Sequence, residues 1–507
     1  MSKWTREKLL EGLAQIAPLG MKAEAIDPNR LLRMTFPVPA HLHALEPDVL
    51  LIIGGRGAGK THLFRAINLP NGPGILGYRG RASGAIWITG FSVQPPISVQ
   101  PPYEPTPLRF PGETVLQRFA AEHRSRTDLM DFWLGLLLGT VLAQEERVGE
   151  PLIQVVRNQL SGDIETALRD LKKVGDWFPV TVQSLEKVEA ALDALDDKLS
   201  QNNQYLIVTY DDLDVMAVEW EQKRALLQAL FQLWLGLWRR WRRIRPKIFL
   251  RRDLFSPEFL QFPDASKIEG HKYELRWSPP MLYGLVFKLW ANQNEDSRWF
   301  LEESGLPFVE DPNLGWTYPD YKLPSEEVLR KVVHRLIGPF MGKGPKKGRS
   351  FEWIPNHLQD ANGEIVPRSI IHLFSEAAKY TQARPEETAE AIIPPTAFAA
   401  SLEKASNQRI QELLEEYPWL EKVRVVLKGQ HVPIPQEQLA ALLQPIDWEG
   451  GPQPPFKDAD MLIYYMIKIG ILYLTLDKRI HVPDIYLYGF GLKRKGGIRR
   501  PAFEMNF

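Results

Sequence analysis

Leu50-Leu51-Ile52-Ile53-Gly54-Gly55-Arg56-Gly57-Ala58-Gly59-Lys60-Thr61-His62 is the stretch on which the reading of this chain turns. Four apolar residues run straight into glycines, the pattern of a short strand buried on both faces and ended by a turn. Gly54–Thr61 fits G-x-x-x-x-G-K-[ST]. Glycines let the backbone wrap with its N–H groups pointing inward. The helix expected over Thr61–Asn68 aims its positive end at the same point. A polyphosphate fits such a cradle, with Lys60 reaching the β- and γ-phosphates and the Thr61 hydroxyl as a Mg²⁺ ligand. Gly54, Gly55, Arg56, Gly57, Ala58, Gly59 and His62 complete the expected nucleotide-binding set. ATP is the expected triphosphate and GTP the alternative. The bland reading, a glycine-rich turn, does not account for the apolar strand before it and the helix after it.

Such a site needs an acid at the end of a second buried strand. Tyr205–Tyr210 reads as that strand and runs into Asp211-Asp212-Leu213-Asp214. Asp211 is expected to hold Mg²⁺, and Asp212 to orient or activate the attacking water. Acids at a helix start after a strand are the competing explanation. Phe249-Leu250 ends a further strand in Arg251-Arg252-Asp253, where an arginine would sense the γ-phosphate or make a surface ion pair. Pro367-Arg368-Ser369 opens an amphipathic helix, with Pro suited to the first turn. From there Arg368 would reach the nucleotide from a lid, or pair with a lid carboxylate and serve folding.

The whole chain is neutral: 507 residues carry 62 Lys plus Arg against 62 Asp plus Glu. Contact with nucleic acid must therefore come from a local patch. The absence of cysteine excludes disulfides, Cys-ligated zinc, iron–sulfur clusters and thiol catalysis. The longest apolar runs, Phe132–Ala143 and Leu226–Trp238, fall short of the ~20 residues that span a bilayer. With no signal-like N-terminus, a cytoplasmic protein without membrane contact is expected.

Outward from the phosphate loop, residues 1–48 read as a lead-in and 49–277 as a parallel-sheet core, with a helical insertion at about 113–200. Ala85–Thr89, Lys247–Leu250 and Lys272–Trp277 supply further strands. Ser92–Pro111 is proline-rich and carries a small repeat, Ser92-Val93-Gln94-Pro95-Pro96 and Ser98-Val99-Gln100-Pro101-Pro102, which points to a connecting loop or a docking segment. Residues 278–390 read as a helical lid. Residues 391–507 read as a winged-helix-like module ending in the basic tail Lys493–Arg500, suited to DNA backbone or to protein docking. Arg239–Arg245, interleaved with Trp238 and Trp241, also tempts a nucleic-acid reading. Yet it closes a helix expected over Trp220–Arg243, and cations are favoured at a helix C-terminus.

The phosphate loop and the Leu206–Asp214 stretch resemble the KAP and STAND groups of AAA+-related P-loop NTPases, many of which act in bacterial antiphage defence. Asp214, Phe249–Asp253, Leu275-Arg276-Trp277 and Pro367-Arg368 extend the resemblance over about residues 45–385. It implies an α/β parallel-sheet core with a helical lid, ATP hydrolysis, and a regulatory switch that assembles into homo-oligomers on nucleotide binding. No solenoid-length repeat and no nuclease or protease signature is present, so an effector is expected as a separate chain. A DNA-associated loader or motor using the basic C-terminal module is the alternative.

Overall fold

The computed structural model describes residues 3–17, 26–100, 103–216, 220–255, 265–385 and 391–495. The chain divides into two compact units: Lys22–Gly55 with Gly59–Leu275, and Met1–Met21 with Arg56–Ala58 and Arg276–Phe507.

The first unit is built on five parallel strands: β1 (Leu51–Gly54), β2 (Ile86–Phe91), β3 (Leu206–Tyr210), β4 (Ile244–Arg251) and β5 (Lys272–Glu274), ordered β2-β3-β4-β1-β5. All of β1 and β3 is buried, which explains their unbroken apolar sequence. Because the strands are parallel, the turns after β1, β3 and β4 gather at one edge of the sheet. The order sets β4 between the strand that leads into the phosphate loop and the strand that leads into the acids. In register, Gly54 of β1 lies opposite Arg251 of β4.

Helices cover the sheet. Arg126–Ala143 packs against Trp220–Arg240, and Trp133 Nε1 donates to Leu226 O at 2.9 Å. A buried polar bridge ties the phosphate-loop helix, Lys60–Ile67, to β3: Asn68 Nδ2 donates to Phe64 O (2.8 Å) and Thr209 Oγ1 (3.0 Å). Lys247, fully buried in β4, gives its ammonium to the carbonyls of Glu46 and Val49, and burial holds its pKa well below the usual lysine range.

The helix expected over Trp220–Arg243 stops at Arg240, and β4 begins inside the basic run at Ile244. Buried Asp196, on helix Leu185–Gln201, explains the stop. Its carboxylate accepts the N–H groups of Arg242 (2.9 Å), Arg243 (2.7 Å) and Ile244 (2.9 Å). Those donors are thereby withdrawn from the helical ladder. Arg240 pairs with Glu189 and Asp193, while Arg243 lies over Tyr205 and Arg245 over Trp238. These arginines are spent on the fold.

In the second unit, Arg6–Ala14 and Pro395–Glu416 both pack on Pro367–Gln382, and Trp290 Nε1 donates to Leu9 O at 3.1 Å. The mainly helical stretch also holds a hairpin, Val309–Asp311 with Gly315–Thr317. Its strands are too short for alternation to show in sequence. Asn292 fixes it by bonding both polar groups of the Trp316 backbone (2.7 and 2.8 Å). Toward the C-terminus, helices Leu420–Leu427, Gln436–Leu443 and Ala459–Lys468 accompany a three-stranded antiparallel sheet, giving a winged-helix-like module. Strands Tyr473–Leu474 and Arg479–His481 pair antiparallel, and a third, Ile434–Pro435, joins them. Of the basic tail, Lys493–Lys495 is described and Arg494 pairs with Asp484; residues 496–500 lie outside the described residues. Among the described residues, no helix is long and apolar enough to cross a membrane.

Candidate nucleotide-binding site

The phosphate loop bends through two left-handed residues, Gly57 (φ 82°) and Gly59 (φ 96°), and the helix Lys60–Ile67 starts directly after Gly59. A side chain at either position would cost about 1–2 kcal/mol in backbone strain. At Gly59 a Cβ would meet nothing within 4 Å, so the glycine there answers to backbone conformation and leaves open space above the helix end. Lys60 Nζ donates to Gly54 O (2.9 Å) and Gly55 O (3.1 Å), which holds the ammonium within the loop. His62 Nε2 lies 2.7 Å from Thr35 Oγ1. Since Thr35 gives its hydroxyl proton to Leu31 O at 2.8 Å, the imidazole is the donor in that pair. His62 thus has a fold-anchoring partner from the segment before β1. The loop tip, Arg56–Ala58, groups with the second unit. There Arg56 pairs with Glu415, and Trp277 Nε1 donates to Ala58 O at 2.8 Å.

Asp211 follows β3 directly, its N–H bonded to Phe91 O at 3.0 Å. Its side chain is buried and hydrogen-bonded to Thr61, yet Oδ2 has no hydrogen-bond partner. Burial drives its pKa well above the usual carboxylate range and the Asp212 charge adds to that, against the pull of Thr61 and Lys60. An orphaned buried carboxylate oxygen is costly, and beside a hydroxyl it suits a hard cation. Mg²⁺ typically takes one or two carboxylates and fills its shell with water and phosphate oxygens. Among the described residues no cluster of three or more His, Asp and Glu forms an all-protein metal cage. Thr61 and Asp211 therefore fit a Mg²⁺ that arrives with a nucleotide.

Asp212 adopts φ 58°, the left-handed conformation that Asp tolerates better than most residues. Its Oδ2 accepts from Ser92 Oγ (2.8 Å) and from Val93 N (3.1 Å), both just past β2. The acid is thereby aimed by the neighbouring strand's loop. Sequence reasoning missed this support, because Ser92-Val93 was absorbed into the proline-rich repeat. The signal was its position, directly after a strand.

Arg251 makes a two-pronged contact with Asp253 (3.0 and 2.7 Å) and reaches Asp214 at 3.4 Å. Arg252 pairs with Glu274 of β5. Arg368, in the second unit, donates to Glu412 Oε1 at 3.0 Å, and Arg409 takes Oε2 of the same buried carboxylate at 3.1 Å. Lys60, Thr61, Asp211, Asp212 and Arg251 thus share one edge of the sheet, and Arg368 lies in a separate buried ion triad. A glycine cradle, a lysine, a hydroxyl and a buried acid, with a second oriented acid beside them, gather at this edge, a set of groups suited to a polyphosphate with a hard cation.

No protein-family model and no curated sequence matches the chain. Among solved structures it is similar to the ORC2 protein of Aeropyrum pernix, solved as ADPNP–ADP complexes, at 12% identity and TM-score 0.36 over 90% of this chain and 89% of that one. It is also similar to Cdc6p from Pyrobaculum aerophilum (12%, TM-score 0.29, 94% and 95% covered). The third is the Aeropyrum pernix ORC1 protein in complex with DNA (12%, TM-score 0.29, 94% and 93% covered).

Proposed function

We propose that the chain binds ATP with Mg²⁺, hydrolyses it, and uses the cycle in a DNA-associated task. The observation that carries the hydrolytic reading is the buried Asp211 oxygen left without a partner beside the Thr61 hydroxyl. In this reading the loop N–H groups and Lys60 hold the β- and γ-phosphates. Thr61 and Asp211 hold Mg²⁺, whose chemistry is to neutralise charge developing on the phosphate oxygens. Asp212, fixed by Ser92 and Val93, orients a water toward the γ-phosphate and takes its proton. Arg251, at the end of β4 beside Gly54, supplies positive charge on the same edge.

The DNA reading rests on the winged-helix-like module and the exposed cations Lys493 and Lys495 at its end. Its test is ATP turnover by the purified chain with and without duplex DNA across a salt series. Stimulation that falls steeply with salt supports it, and turnover indifferent to DNA removes it. A second reading, a nucleotide-driven switch that acts on a separate protein effector, is favoured by one observation. Helix Ala459–Lys468 and the wing expose Met461, Tyr464, Leu474 and Leu476, an apolar rather than basic face. Nucleotide-dependent self-assembly without DNA would favour this switch, including a role in defence.

A further inference from the structure

Away from the phosphate loop, the first unit has a cleft of about 500 Å³. Residues just after the phosphate-loop helix (Pro70, Pro73) and at the start of β2 (Ile86, Trp87) line it, together with Arg79 and Arg147. It therefore opens at the N-terminal end of a parallel strand, whereas the phosphate loop follows the C-terminal end of β1.

Its two cations are unusual in their partners. Arg147 is half-buried and donates only to the carbonyls of Trp87 (3.4 Å) and Ile97 (2.6 Å). Arg79 uses one nitrogen for the carbonyls of Gly74 (3.0 Å) and Tyr78 (2.9 Å). Neither makes an ion pair with a described residue, although most arginines discussed above do. Glu146 lines the same cleft, is exposed, and raises the Arg147 pKa only as the lesser influence; burial dominates and pushes it down to about 10. A guanidinium has five N–H donors, and two neutral carbonyls leave most of them unused and do not neutralise the charge. Two such groups in one cleft, with proline and tryptophan walls, match a dianionic head on a small organic body.

We infer that this cleft is a second ligand site, taking a small phosphate-bearing molecule with its phosphate between Arg79 and Arg147. The inference is independent of the nucleotide reading, because no residue of the phosphate loop lines the cleft. Its walls run from the end of the Lys60 helix and into the strand that ends just before Ser92, so an occupant would touch both elements that shape the phosphate-loop edge.

The test is titration of the full chain, its phosphate loop saturated with a non-hydrolysable ATP analogue and Mg²⁺, with inorganic phosphate and separately with glycerol 3-phosphate, followed by ³¹P line broadening. Saturable binding of either at millimolar affinity is expected, and the tighter of the two shows whether the site prefers the free ion or a monoester. Arg147→Gln and Arg79→Gln should each weaken it at least tenfold, while Lys60→Ala, titrated without the analogue, leaves a site of wild-type affinity that adding Arg79→Gln again weakens at least tenfold. Absence of saturable binding overturns the inference, as does wild-type affinity in the arginine variants. Should Arg147→Gln unfold the protein by releasing the Trp87 and Ile97 carbonyls, Arg79→Gln, on an exposed side chain, decides alone.

Discussion

Replacing Asp212 separates chemistry from folding, because the structure sets the two costs apart. The residue sits at φ 58° and its Oδ2 accepts two hydrogen bonds, from Ser92 Oγ and Val93 N. Asp212→Asn keeps the tolerance for left-handed backbone and keeps one acceptor oxygen, so it should lose less than ~1 kcal/mol of stability. Asp212→Ala adds about 1 kcal/mol of backbone strain. It also removes two hydrogen bonds worth about 1 kcal/mol each and leaves the buried Ser92 hydroxyl proton without its acceptor, for a total of about 2–4 kcal/mol. Both variants lose the group proposed to take the proton of the attacking water. Single-turnover hydrolysis at saturating ATP should fall by ~10²–10⁴ in Asp212→Asn, while ATP affinity stays near wild type. Urea unfolding reports the first pair of numbers, and rapid-quench measurement of phosphate release reports the second. A folded Asp212→Asn protein that hydrolyses ATP within about threefold of wild type would refute the assignment, because general-base removal cannot cost so little.

Other outcomes follow from the same geometry. Ser92→Ala frees one side of Asp212 and should slow hydrolysis by about tenfold at unchanged ATP affinity, measured in the same single-turnover assay. Asp211→Asn removes a carboxylate that burial disfavours. It should raise the nucleotide-free unfolding free energy by about 1 kcal/mol and abolish the additional stabilisation by ATP that Mg²⁺ confers, read from urea midpoints with and without the ion. Asp196→Ala strips the acceptor from three N–H groups at the start of β4 and should cost about 3–5 kcal/mol, read by urea unfolding.

The strand–turn–helix course of the phosphate loop and the place of the acid pair at a strand end were legible because each is set by a short contiguous stretch. The Leu51–Gly54 and Leu206–Tyr210 strands were legible for a related reason, since burial on both faces leaves an unbroken apolar run. What stayed hidden depends on residues far apart in the chain. Ser92 and Val93 meet Asp212 only once β2 lies beside β3. Asp196 ends a helix whose last residue lies more than forty positions after it, so periodicity extended that helix into the arginine run. The run itself tempted a nucleic-acid reading beside the helix-end one because its partners Glu189 and Asp193 lie on another helix. Strand Ile434–Pro435 and the Val309–Thr317 hairpin are too short to imprint a period on the sequence.

The central claim, that Gly54–Thr61 binds the triphosphate of ATP, is tested most directly by calorimetric titration of ATP with Mg²⁺ into the wild-type chain and into Lys60→Ala. The account predicts one ATP per wild-type chain and a loss of at least ~100-fold in affinity, about 2.7 kcal/mol, in the folded variant. Equal affinity in a folded Lys60→Ala protein would contradict it.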